Sequence, residues 1–357
     1  MKKYNFSAGP AILPKSVFEE AAHAVTDYQG KGLSLLELSH RGPEITAILE
    51  EARSLPLELL GLSKENYEVL YLTGGASSQF FMTAMNFLGE DRKGYYLDSG
   101  TWSKKAIKEA KLFGQVEVLA SSADQNYDYI NKEFDANRGG AYLHYTSNNT
   151  IFGTQYHYLP QTDMPLICDM SSDIFSRPLY TKDYGLIYAG AQKNLGPAGT
   201  TLVIINKKMI PNISKGLTSM LDYTIHVDKK STFNTPPVYP IYVSLLTLRW
   251  IKDQGGLEAM KVKNHKKAET LYSEIDNNPL FKGVVSQKED RSQMNATFVC
   301  QNDAHSDRFL ELCNQAGIVG IKGHRSVGGF RASIYNAMNM EGIERLIQVM
   351  QDLKNHI

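Results

Sequence analysis

Lys193 is the residue whose setting most suggests chemistry. Residues 186–199 read L-I-Y-A-G-A-Q-K-N-L-G-P-A-G. A short apolar run ends in small residues and delivers Lys193 to a loop. Gly196, Pro197 and Gly199 then turn the chain back into a second apolar run at 201–205, so strand, loop and strand are expected. Lysines ordinarily sit on solvated faces, and one held between two apolar strands is unusual. The window alone fits two readings: a surface lysine at a hairpin tip, or a lysine that forms a Schiff base with a carbonyl cofactor. Asp169 lies 24 positions earlier, at the end of a strand expected over 165–168. It either caps the next turn or pairs with the ring nitrogen of pyridoxal phosphate and keeps that ring electron-poor.

Other polar groups gather at the ends of apolar runs. A strand expected over 67–73 runs into Gly74-Gly75-Ala76-Ser77 and a helical segment at 80–88. Strand, glycine turn and helix start make an anion site, because the first helical N–H groups lack internal partners. The same residues also fit a tight turn with Ser77 as N-cap. They match neither the dinucleotide fingerprint nor the P-loop. Trp102 follows the strand at 94–98, as a core residue or on a functional loop. Thr150 closes a polar cluster after the strand at 141–145. His40 and Arg41 precede Gly42-Pro43, either as solvated charge or as an anion clamp. Asn234 and Thr235 fall in a non-helical S-T-F-N-T-P-P loop, and His324, Arg325 and Arg331 in a glycine-rich one.

These groups need a scaffold. The chain has 357 residues, 42% hydrophobic and 21% charged, which fits a soluble globular protein of one large or two ordinary domains. Thirty-eight basic residues balance thirty-eight acidic ones, so charge gives no argument for nucleic acid or an anionic membrane. The lysines at 261–267 read as a solvated helix face. Three cysteines, Cys168, Cys300 and Cys313, show no metal-ligand spacing and suggest a reducing compartment. The first residues have no apolar signal region, and no run approaches the ~18 apolar residues of a spanning helix. A cytoplasmic protein without a metal is expected.

Strands and helices alternate over 67–205, which predicts a parallel-rich sheet. Gly255-Gly256 marks a hinge. The expected organisation is a large cofactor-binding domain at 16–256 and a small domain at 257–357, with an arm at 1–15 packed against the small one. Helices are expected at 257–275, 306–315 and 341–354, and strands at 296–301 and 330–334.

Taken together, the motifs resemble those of the phosphoserine aminotransferases, pyridoxal-phosphate enzymes of class V with the aspartate-aminotransferase-like type I fold. Five stretches carry the resemblance: N-F-S-A-G-P-A-I-L-P at 5–14, S-H-R-G at 39–42, Y-A-G-A-Q-K-N-L-G-P-A-G at 188–199, F-N-T-P-P at 233–237, and K-G-H-R-S-V-G-G-F-R-A-S-I-Y-N-A at 322–337. It implies an α/β fold whose large domain has a mostly parallel mixed sheet flanked by helices, with a smaller α/β C-terminal domain. It implies one pyridoxal phosphate per subunit, joined to Lys193, with Asp169 on the ring nitrogen and Trp102 stacked on the ring. Thr150 would bind the phenolic oxygen. Ala76, Ser77 and Gln192 would hold the phosphate, helped by Asn234 and Thr235 of the neighbouring subunit in a homodimer. Arg331 would take the substrate carboxylate, and His40, Arg41, His324 and Arg325 its phosphate. Some members have Gly-Arg where this chain has Ala76-Ser77, which leaves the sharing of charge among the remaining cations open.

The implied reaction moves an amino group from L-glutamate to 3-phosphohydroxypyruvate, giving O-phospho-L-serine and 2-oxoglutarate in L-serine biosynthesis. Some members also act on 4-phosphohydroxythreonine in pyridoxine synthesis. A lyase or desulfurase of the same fold would need a reactive cysteine on a loop, whereas Cys168 falls within an expected strand. A non-catalytic relative would lack Lys193 or Asp169.

Overall fold

The computed structural model describes residues 2–89, 91–136 and 138–356. The chain opens with β1 (Tyr4–Asn5), α1 (Lys15–Thr26), α2 (Pro43–Leu60), β2 (Tyr67–Leu72), α3 (Gly75–Phe87), β3 (Lys93–Asp98), α4 (Thr101–Ala110) and β4 (Gln115–Ser121). Then come β5 (Tyr142–Thr146), β6 (Leu166–Asp169), β7 (Tyr184–Gly190), β8 (Thr201–Asn206), α5 (Tyr223–Asp228), α6 (Val238–Asp253) and α7 (Gly256–Asn277). It closes with β9 (Phe281–Gly283), β10 (Asn295–Cys300), α8 (Ser306–Gln315), β11 (Ile318–Val319), β12 (Phe330–Ser333) and α9 (Met340–Asp352).

The main sheet has seven strands in the order β2-β8-β7-β6-β5-β3-β4. β8 runs antiparallel to both β2 and β7, and the other pairs are parallel. β5, β6 and β7 are buried along their whole length, which explains their continuous apolar runs: a parallel strand covered on both faces has no solvent side to mark with polar residues. One face packs under α3 and α4, through Phe80, Ile107 and Tyr188. The other packs on α1, α2 and α6, where Ile45, Ile48, Leu49, Ala52 and Leu55 form a helical stripe on α2.

A second, antiparallel sheet has the order β12-β10-β9. With α8 and α9 it buries Phe281, Phe298, Phe309 and Phe330, whose ring centroids lie 4.7–6.2 Å apart. Phe6 enters this core, and β1 pairs with β11. Gly255 and Gly256 take φ of 94° and 72°, conformations open to glycine, and turn the chain from α6 into α7. α7 spans both cores: Leu257 and Met260 belong to the first, Ala268, Leu271 and Ile275 to the second.

The two cores meet through neutral polar groups. Asn148 Nδ2 donates to Ser172 Oγ and to Asn295 Oδ1, at 2.8 and 2.7 Å. Asn295 Nδ2 donates to Ser333 Oγ at 3.0 Å. Asn194 and Asn264 join Asn336, at 3.0 and 2.8 Å. All seven residues are buried, so each bond left unmade would cost about 1–3 kcal/mol.

Two local expectations change. α3 starts at Gly75, five residues earlier than the apolar pattern suggests, so Ser77 lies inside the helix and is no N-cap. The stretch 261–267 is not wholly solvated: Lys267 is 2% exposed, and its Nζ donates to the carbonyls of Ile334 and Tyr335 at 2.9 and 2.7 Å. Among the described residues no helix is long and apolar enough to cross a membrane. None of them form a group of three or more His, Cys, Asp or Glu able to hold a metal ion.

Candidate active site

Strand register brings the polar groups to one edge. Thr201, at the start of β8, pairs with Leu72 at the end of β2 and with Gly190 at the end of β7. Asp169, at the end of β6, pairs with Tyr188 and with Thr146 at the end of β5. The carboxyl ends of the parallel strands therefore form one row, the usual edge for a site in an open α/β sheet.

Lys193 stands on the loop leaving that row. The loop is tight: the N–H groups of Lys193 and Gly196 both donate to Ala191 O at 2.7 Å. A Cβ at Gly196 would come 2.4 Å from Ser244 Oγ, so α6 packs too closely for any other residue. Lys193 is 9% exposed and its Nζ donates to Thr150 Oγ1 at 2.6 Å. Burial lowers its pKa to about 8; Asp169 opposes the shift and Arg331 adds to it. A fraction of the amine is then unprotonated near neutral pH, as a nucleophile or base requires.

Asp169 is buried and its carboxylate is clasped on one side only. Oδ1 accepts from the N–H and the hydroxyl of Ser171, at 2.9 and 2.6 Å. Ser171 Oγ in turn accepts from Gly190 N at 3.1 Å, tying Asp169 to the end of β7. Burial pushes the pKa of Asp169 upward, so a charged partner at Oδ2 is what would hold it ionised.

Trp102 sits in the first turn of α4, its ring centroid 5.7 Å from Lys193 Nζ. Gly74 is the N-cap of α3; its φ is 96° and its Cβ would fall 1.8 Å from Ser78 Oγ. The first turn of α3 holds no acidic residue, and the N–H groups of Gly75, Ala76 and Ser77 lie in the turn that has no intrahelical acceptors, a setting that suits an anion. Gln192 lies beside Gly9 and Gly190, and its carbonyl accepts from Ala11 N at 2.9 Å.

The second sheet contributes Arg331, on β12. Its guanidinium donates to Thr150 O at 3.1 Å, and its buried Nε has no partner among the described residues. Thr150 thus touches Lys193 with its hydroxyl and Arg331 with its carbonyl. The loop before Arg331 is closed on itself: Gly323 N donates to Gly329 O and Arg331 N to Ile321 O, both at 2.8 Å. Val327 packs with Trp102 on a small cluster of Tyr127, Ile151 and Phe152. His324 has its pKa lowered, first by burial and then by Arg331, Arg325 and Lys105.

A profile of the class-V aminotransferases matches residues 3–346. The chain belongs to the class-V aminotransferase family. A phosphoserine aminotransferase from Flavobacterium psychrophilum is 53% identical over 357 residues, covering 100% of both chains. The solved phosphoserine aminotransferase from Bacillus circulans subsp. alkalophilus superposes with a TM-score of 0.96 at 45% identity, over 99% of each chain. A PLP-bound phosphoserine aminotransferase from Trichomonas vaginalis gives 0.93 at 38% identity, over 98% of this chain and 100% of that one.

Within this class-V chain, Lys193, Asp169, Trp102, Thr150, Gln192 and Arg331 come together, with His324 and Arg325 on the adjoining loop. His40 and Arg41 do not join them. They line a cleft of about 420 Å³ with residues 228–230 and Thr232. Asn234 and Thr235 are exposed, and Asn234 faces a cavity of about 120 Å³ beside Gly74 and Ser78. Reasoning from sequence missed Ser171 and Lys105. Ser171 is two residues past Asp169, a spacing common in side chain to backbone turns. Lys105 is three residues past Trp102, on one helix face.

Proposed function

We propose that this class-V aminotransferase is a pyridoxal-phosphate-dependent phosphoserine transaminase. It moves the amino group of L-glutamate to 3-phosphohydroxypyruvate, giving O-phospho-L-serine and 2-oxoglutarate. The observation that carries this reading is Thr150, bonded at once to a buried lysine of lowered pKa and to an arginine with an unpartnered buried Nε. Identity of 53% over the full length of a phosphoserine aminotransferase supports the substrate.

The residues suit the cofactor. Oδ2 of Asp169 makes no hydrogen bond among the described residues, and a protonated ring nitrogen would be its charged partner. Trp102 supplies a flat face. The start of α3, with Ala76 and Ser77, and the Gln192 side chain would hold the phosphate. Lys193 would form the Schiff base. When bound, the cofactor supplies an electron sink for charge developing at the substrate Cα.

The chain's own groups do the rest. Lys193, once released, takes the Cα proton and returns it on the other side of the exchange. Thr150 orients the lysine between these tasks. Arg331 binds the α-carboxylate common to both substrates, its guanidinium already aimed by Thr150 O. The distal group changes from carboxylate to phosphate between half-reactions, so one cationic surface must accept both. His324 and Arg325 form part of it, and His40 and Arg41 would complete it from a second subunit. Asn234 and Thr235 would likewise reach the neighbouring cofactor. Their exposure beside the equally exposed Phe233 and Met220 supports a homodimer.

Absorbance of the purified, cofactor-loaded protein tests this. O-phospho-L-serine added without a keto acid is expected to bleach the yellow band. A band that ignores O-phospho-L-serine but yields to another amino acid would keep the transaminase and discard the substrate.

A further inference from the structure

α4 carries a second lysine to the site. Lys105 lies one helical turn beyond Trp102, and its Nζ is 4.6 Å from the indole centroid. A cation over an aromatic face is held in place without being neutralised. Lys105 is exposed, and among the described residues it makes no hydrogen bond or ion pair with a carboxylate. Its neighbour Lys104 lies over a different ring, 4.9 Å from the Tyr127 centroid. The charge of Lys105 is felt by His324, together with the charges of Arg325 and Arg331, and no carboxylate acts there in opposition.

These cations are not equally available. Arg331 is engaged with Thr150 O and, in the proposed reaction, with the α-carboxylate. The lowered pKa of His324 leaves that imidazole largely neutral near neutral pH before a ligand binds. The first turn of α3 adds no charged side chain. Among the charges that act on His324, Lys105 and Arg325 are then the permanent ones that make no hydrogen bond or ion pair among the described residues.

We propose that Lys105 is a specificity-determining residue: its ammonium, held on Trp102, joins His324 and Arg325 in binding the distal anion and favours phosphate over carboxylate. The proposal rests on the phosphoserine transaminase reading. A fixed unit charge interacts with an anion in proportion to the anion's charge. A phosphate monoester carries about −1.5 to −2 near neutral pH, and a carboxylate carries one charge. Removing Lys105 therefore costs the phosphate ligand about the square of the factor it costs the carboxylate.

The test uses the cofactor-loaded enzyme. Dissociation constants for O-phospho-L-serine and L-glutamate are read from the concentration dependence of the single-turnover rate at which the yellow band bleaches, and that for inorganic phosphate from its competition with each. In Lys105→Gln, O-phospho-L-serine is expected to bind about 10-fold more weakly and glutamate only about 3-fold. Inorganic phosphate should weaken with O-phospho-L-serine. Lys105→Arg should restore all three; the larger loss for O-phospho-L-serine than for glutamate in Lys105→Gln is what a merely structural role at Trp102 would not produce. Equal losses for both amino acids, or none, would overturn the proposal while leaving the transaminase intact. A wild-type enzyme that responds to glutamate but not to O-phospho-L-serine would overturn the underlying reading, and the proposal with it.

Discussion

Two lysines are buried among the described residues, and they are buried differently. Lys193 hangs at the edge of the main sheet with one hydroxyl at its tip, an aspartate in its field and an arginine nearby. Lys267 is sealed between α7 and the chain after β12, with two carbonyl oxygens at its tip and no carboxylate paired to it among the described residues. Burial lowers both pKa values, to about 8 and about 7. A depressed lysine pKa is thus no signature of chemistry by itself. What separates the two is the partner set. Thr150 is a single, exchangeable contact that leaves the amine able to leave it, whereas two carbonyls hold Lys267 as a structural pin.

Turnover separates them most sharply. Lys193→Ala is expected to lower kcat by about 10⁴-fold or more, the upper range for a positioned proton-transfer group, with the fold intact by circular dichroism. Lys267→Ala should keep turnover within about 10-fold, since Lys267 reaches the site only through the segment it pins. Comparable losses in the two variants would erase the distinction.

Stability should rank them the other way. Near pH 10.5, where folding has little proton to strip from Lys267, Lys267→Ala leaves two carbonyls unpaired and a void, for a loss of about 2–4 kcal/mol in denaturant unfolding. An unchanged midpoint would show that the pin holds nothing.

The smallest effect is in pH dependence. The pKa of Lys267 falls from 10.5 unfolded to about 7 folded. Between those values the unfolded chain binds a proton that the folded chain does not, so this residue makes stability rise with pH across that window. Below about 7 both states are protonated and the burden of the buried charge is complete. Lys267→Met removes the titration and should flatten the slope. A slope identical to wild type would mean that Lys267 is not the titrating group.

The strand ends and the polar residues that close them were largely legible because their signals are local. Glycine and proline punctuate the Lys193 loop, and Asp169 directly closes an apolar run. The reversal of β8 is equally local, since a short Gly-Pro-rich connection returns the chain antiparallel to β7. What escaped depends on distance in sequence. Thr150 meets Arg331 across 181 positions, and no spacing rule spans that. The start of α3 was misjudged because its first turn is small and polar, set by Gly74 and not by apolar periodicity. Lys267 was within reach: Met260, Asn264, Lys267, Leu271 and Ile275 follow one helical stripe, and a charged residue on an apolar stripe is the informative exception. The local run of lysines drew attention away from it.

The loop from Lys322 to Phe330 is pinned at its own base by the bridge between those two residues and by the Gly323–Gly329 bond. Its tip presents His324 and Arg325, while the groups proposed to carry the chemistry stand on other elements. The share of distal-group recognition proposed for His324 and Arg325 would therefore sit on a detachable module. An engineer can exchange residues 324–327 for neutral or acidic ones, keep the base, and redirect the same catalytic edge toward amino donors and acceptors of another charge.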